Sequence, residues 1–129
     1  MKNKYFISFI LVFFFPLVGN ANWIKIFTTS HGDLFIESNS IKRDKNRIFY
    51  DQLVNYRSIQ KNGSRSFITT SEVDCKSLKV RDVNYQLFKQ QMGKGNNFYK
   101  GSPLKKWKKY QEGTSAQLIN KLLCDRVYY

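Results

Sequence analysis

Residues 47–58 read RIFYDQLVNYRS, and this stretch decides the fold class. Ile48, Tyr50, Val54 and Tyr56 recur with period two, so they share one face of a long strand, and only Gln52 interrupts that face. The polar cluster Asp44, Lys45, Asn46 leads into the strand as a hairpin connection, and Lys61, Asn62 and Gly63 turn the chain after it. Working back towards the N-terminus, residues 34–36 form a short strand closed by Ser38, Asn39 and Ser40. The cluster 28–33 (TTSHGD) reads as a turn, and residues 23–29 as the first strand. Working forward, residues 65–75 and 77–90 give a fourth and a fifth strand, with Gly93 and Gly95 breaking the last. From residue 22 to about 99 the chain is rich in Ile, Val, Phe, Tyr and Thr and free of proline, which suits a sheet of about five to six strands.

After Gly101 the pattern changes. Pro103 opens a basic, aromatic run (PLKKWKKY), and Thr114 with Gln117 three residues later is a capping-box signature at the head of a helix. Leu118, Ile119, Leu122 and Leu123 recur at helical spacing, so residues 115–125 are expected to lay that apolar face on the sheet. The fold class is therefore α+β: a sheet with one C-terminal helix packed on it.

The first 21 residues have the layout of a cleavable secretory signal peptide. Lys2 and Lys4 give a positive start, residues 5–18 are apolar apart from Ser8, and small residues at Gly19 and Ala21 predict cleavage after Ala21. The apolar run, interrupted by Pro16, falls short of the roughly 20 residues a membrane-spanning helix needs, so no transmembrane anchor is expected after cleavage. The mature domain, 22–129, is one domain's worth of chain and is expected to be exported: periplasmic or secreted, or displayed at the cell surface. Export favours oxidation of the two cysteines, Cys75 and Cys124, to one disulfide that would staple the last turn of the helix to the end of the fourth strand.

Charge narrows the partners. Removing Lys2 and Lys4 leaves 20 Lys and Arg against 9 Asp and Glu, a large positive field for so small a body. Such a field either serves solubility alone or favours acidic partners: glycans, lipopolysaccharide, or an acidic protein surface such as an extracellular-matrix protein. Export argues against nucleic acid as the target. The densest cluster is Lys105, Lys106, Trp107, Lys108, Lys109 and Tyr110, with Lys94 and Lys100 upstream, and it combines charge with aromatic surface. Trp107 itself is as well suited to burial, with the lysines around it left to bind. Enzyme chemistry is poorly supported, and no cofactor is implied. His31 stands alone in a turn, and no nucleophile elbow, phosphate loop or metal-ligand spacing is present. Glu72 and Asp74 share a strand face as a glycosidase pair might require, but on so basic a chain they read as ion-pair partners.

Taken in order, these features resemble the surface-adhesin protein E-like domain of Gram-negative exported proteins. They are Trp23 at the head of the first strand, Leu34-Phe35-Ile36-Glu37 followed by Ser40-Ile41, Val73-Asp74-Cys75, Arg81, Met92-Gly93-Lys94-Gly95, Pro103 with Trp107, and Gly113-Thr114-Ser115 before a helix ending in Cys124. The resemblance covers nearly the whole of 22–129. It implies an antiparallel sheet with a C-terminal helix held by one disulfide, and an adhesin-like, non-enzymatic binding role. The family's name-giving member binds host extracellular-matrix and serum proteins, with haem binding also attributed to it, while most relatives are uncharacterised exported domains. The name-giving adhesin is a lipoprotein, whereas here no cysteine stands at the cleavage site to be acylated. That departure favours a periplasmic or released protein, and an envelope assembly factor that docks a protein partner is the alternative role.

Overall fold

The computed structural model describes residues 22–102 and 105–126; the predicted signal peptide, Pro103 and the last three residues lie outside that range. Eight strands and one helix follow in chain order: β1 (Trp23–Thr28), β2 (Gly32–Glu37), β3 (Lys42–Asp44), β4 (Arg47–Tyr56), β5 (Ser66–Asp74), β6 (Lys79–Phe88), β7 (Asn97–Gly101), β8 (Lys108–Lys109) and α1 (Ser115–Arg126). One antiparallel sheet runs in the order β1-β2-β4-β5-β6-β7, with β3 added beside β4 and β8 beside β6. The sheet thus has more strands than the five to six expected. β3 and β8 are short and wholly charged, and β7 carries two adjacent aromatics, Phe98 and Tyr99, between polar ends, so none of the three has the alternation that would stand out in the sequence.

The two faces of this sheet are covered at opposite ends. On the first face, Ile48, Val73 and Val80 lie side by side across β4, β5 and β6, all at most 2 % exposed, and join Ile36 and Tyr50 in the main core. Helix α1 closes that core with Ile119, Leu123 and Cys124, while Ile41 and Tyr110 pack at its margin. On the second face, Phe35 and Leu53 are buried beside Ile68 in a smaller core. It is capped by the tight turn at 91–93, where Gly93 takes φ +64° and a Cβ would come within 2.7 Å of Ile68 Cδ1. Only glycine lets that turn lie so close to the sheet.

Gln52 marks the limit of the helix's cover. Its amide donates to Ser71 Oγ at 2.8 Å, and Ser71 donates to Asp82 at 3.0 Å, so a polar relay crosses three strands where the core ends. Beyond it, Phe27, Leu34, Val54, Phe67, Leu87 and Tyr99 pair strand to strand in one apolar row across six strands, none of them fully buried.

The helix is held at three points. Thr114 caps its start by accepting the Gln117 N–H at 3.3 Å, and the Gln117 side chain reaches back to the Gly113 N–H at 3.1 Å. Arg43, on β3, donates to the Cys124 carbonyl at 3.1 Å, placing a cation at the negative end of the helix. The Cys75–Cys124 disulfide forms, with Cα atoms 5.6 Å apart. The apolar face is not the one expected: Leu118 and Leu122 are 56 % and 48 % exposed. Asn120, whose side chain accepts the Tyr50 hydroxyl at 3.2 Å, and Cys124 turn the helix so that residues 119, 120, 123 and 124 face the sheet. That is a rotation of about 100°, one residue's worth, from the centre of the apolar arc.

Burial pushes the Tyr50 phenol well above its ordinary range, with Tyr110 and Asp82 adding to the shift. An acid whose pKa is raised on folding keeps its full stabilising contribution below its unfolded value, about 10, and loses it as the pH climbs above that. Denaturant unfolding is therefore expected to show a fall in stability above about pH 10 that Tyr50→Phe flattens. An unchanged alkaline slope in the variant would sink this assignment.

Candidate binding surface

The basic segment crosses the free side of β6. β8 pairs with its first residues, placing Lys108 opposite Val80 and Lys109 opposite Lys79. Strand alternation carries the segment over the edge of the sheet, so its two aromatic side chains anchor on opposite faces. Tyr110 packs against the helix-covered core, with Lys108 Nζ 5.3 Å from its ring centroid. Trp107, half-buried, lies on the second face against two guanidinium groups, Arg81 at 4.4 Å and Arg47 at 4.7 Å from its ring centroid.

Those arginines are positioned by Glu72. The carboxylate is buried, 4 % exposed, and takes a two-point contact from Arg81, whose Nε and Nη2 each donate at 3.0 Å. Arg47 adds a weaker contact to Glu72 at 3.4 Å and approaches Asp74 at 3.9 Å. The planar, bidentate Arg81–Glu72 pair fixes the guanidinium as a flat platform, and the indole lies on it. Cation–π contacts of this kind contribute about 0.5–2 kcal/mol each. Glu72 and Asp74 are thus both engaged by arginines, as the charge balance suggested. His31 is exposed in the β1–β2 turn, and the described residues hold no cluster of groups able to bind a metal ion.

Of the residues singled out from sequence, Lys105, Lys106, Lys108 and Lys109 are all exposed, while Trp107 and Tyr110 are the anchors that hold the ribbon down. Lys79 and Lys109 stand directly opposite each other, an arrangement that like-charge repulsion disfavours and a bound anion would relieve. Sequence reasoning missed Arg47 as a site residue and gave Glu72 no part in positioning Trp107. The Glu72/Asp74 pair and Arg81 were visible individually, but only the β5–β6 register, which sets Glu72 opposite Arg81, brings them together.

Comparison with solved structures gives the fold a precedent. A crystal structure of protein E from non-typeable Haemophilus influenzae superposes with a TM-score of 0.54 at 16% identity, over 81% of this chain and 84% of that one. A second crystal form of Haemophilus influenzae protein E gives 0.58 at 17%, over 80% and 87%, and its selenomethionine form 0.60 at 18%, over 81% and 86%. At such identities the likeness establishes the fold alone. A search among curated protein sequences found no match. The family model of surface-adhesin protein E matches residues 23–125, which takes in the whole sheet, the Trp107 clamp and the disulfide-bound helix, and the chain therefore belongs to the surface-adhesin protein E family.

Proposed function

We propose that the mature domain is an exported, non-enzymatic, adhesin-like binding module that contacts acidic partners through the ribbon Lys105–Lys109. The observation that carries this reading is the clamp: Trp107 on Arg81 and Arg47, with Tyr110 on the opposite face, holds four exposed lysines in one place. A pre-ordered cationic ribbon loses less entropy on binding than a free loop of the same charge. Family membership supports an adhesin role, and the predicted leader supports export to the periplasm, the medium or the cell surface.

Changing Lys105, Lys106, Lys108 and Lys109 together to Gln is expected to leave the fold intact, because all four side chains are exposed. At about 0.5 kcal/mol per exposed ionic contact, affinity for heparin at low salt should drop by about 30-fold. Elution of the variant from heparin at the same salt concentration as the parent would remove the proposal.

A second reading rests on a different observation. The apolar row from Phe27 to Tyr99 lies beyond the helix and stays partly exposed along its length, with Tyr99 exposed at its end, as a face that docks a protein partner in the cell envelope would be. Binding of that kind would depend little on salt, which separates the two readings.

A further inference from the structure

Beyond Trp107, the second face of the sheet opens into a recess of about 320 Å³ lined by Asn84, Tyr85, Gln86, Lys100, Gly101 and Ser102. Register sets Gln86 opposite Lys100, and alternation puts Asn84, Gln86 and Lys100 on the face that carries Arg81 and the indole. Arg81 pairs with Glu72 and Asn84 with Thr70, so the recess begins two ladder positions from the clamp, about 7 Å along the strand. Tyr85 and Gly101, paired between these residues, turn to the opposite face, where Tyr85 is stacked on Tyr99 with centroids 5.5 Å apart, lies 5.7 Å from Phe67 and packs so closely that a Cβ at Gly101 would meet its ring at 2.5 Å. That packing holds β6 to β7 beneath the recess. Gln86 accepts a hydrogen bond from the Asn97 amide at 3.2 Å, which fixes its orientation. The side chains of Asn84, Lys100 and Ser102 make no hydrogen bond or ion pair among the described residues.

The recess therefore offers a carboxamide, a hydroxyl and an ammonium group with unused capacity, beside a second, oriented carboxamide. Amides and hydroxyls donate and accept at once, which matches vicinal sugar hydroxyls, and the ammonium matches a carboxylate. A half-exposed indole on the same face suits the apolar side of a neighbouring ring. We propose that the recess is a subsite for an acidic sugar unit, a uronate, of a polysaccharide whose charged groups also meet the Lys105–Lys109 ribbon. This deepens the basic-surface reading and rests on it.

The test compares two polyanions, a heparin-derived hexasaccharide and linear polyphosphate, by titration against the full mature chain. Asn84→Ala combined with Ser102→Ala leaves the charge unchanged and removes two side chains that contribute no internal hydrogen bond. It is expected to weaken the hexasaccharide by about ten-fold, the worth of one to two hydrogen bonds, and to leave polyphosphate unaffected. Asn84→Phe, which fills the recess, should do the same. Equal hexasaccharide affinity in the parent and both variants would overturn the subsite, as would a parallel loss on both probes. If the parent binds neither polyanion, the basic-surface reading fails first and takes the subsite with it.

Discussion

Replacing Cys75 and Cys124 together by serine is expected to cost about 4 kcal/mol, a large share of the stability of so small a domain. The bridge spans 49 residues, and in the chain-entropy account a loop of that size yields this figure. The position of the bridge makes the loss cooperative. α1 has 12 residues, too few to persist alone in water, and it touches the sheet through little more than Ile119, Asn120, Leu123 and the disulfide itself. Once the helix detaches, Ile48, Tyr50, Val73 and Val80 lose their cover. In urea, with about 1.5 kcal/mol per molar for a domain of this size, the unfolding midpoint should fall by nearly 3 M. A shift under about half a molar would show that the helix holds without its staple.

Arg81→Ala is expected to be the most damaging single change on the second face, at about 3 kcal/mol, because it leaves the buried Glu72 carboxylate with only the 3.4 Å contact from Arg47. The same change removes the nearer of the two platforms under Trp107. Adding Glu72→Gln to Arg81→Ala should recover much of the loss, since the uncompensated charge is then gone. A double-mutant cycle in urea reads that coupling directly. If the two changes simply add, the carboxylate is not the element that holds the platform. Weakened heparin binding in Arg81→Ala, with all four lysines still present, would tie the clamp to the ribbon it presents.

Much of this architecture is legible from residues 47–58 outward. The alternation of Ile48, Tyr50, Val54 and Tyr56 places the long strand, and the clusters at 44–46 and 61–63 place its turns. Even the interruption at Gln52 has structural content, because it falls where the helix's cover ends and the Gln52–Ser71–Asp82 relay begins. What alternation misses is decided by tertiary partners. β3 is three charged or polar residues whose place is set by Ile41 entering the core and Arg43 reaching the helix end. Leu118 and Leu122 belong to the helix's apolar arc, yet the disulfide and the Tyr50–Asn120 hydrogen bond outweigh that arc in fixing the helix's rotation. The lysine ribbon is plain in the sequence as a charge cluster. Its anchoring is not, because Arg47, Glu72, Arg81 and Trp107 lie far apart along the chain and meet only through strand register.

The central claim is that binding is electrostatic and runs through the anchored lysines, and the salt dependence of affinity tests it most directly. Titrating a labelled heparin hexasaccharide into the mature protein across a series of salt concentrations should give an affinity that falls steeply as exposed charges are screened over about 10 Å at 0.1 M salt. The four-lysine variant should lose most of that slope. An affinity that stays level with salt, or a slope the variant retains in full, would contradict the account and direct attention to the partly exposed apolar row beyond the helix.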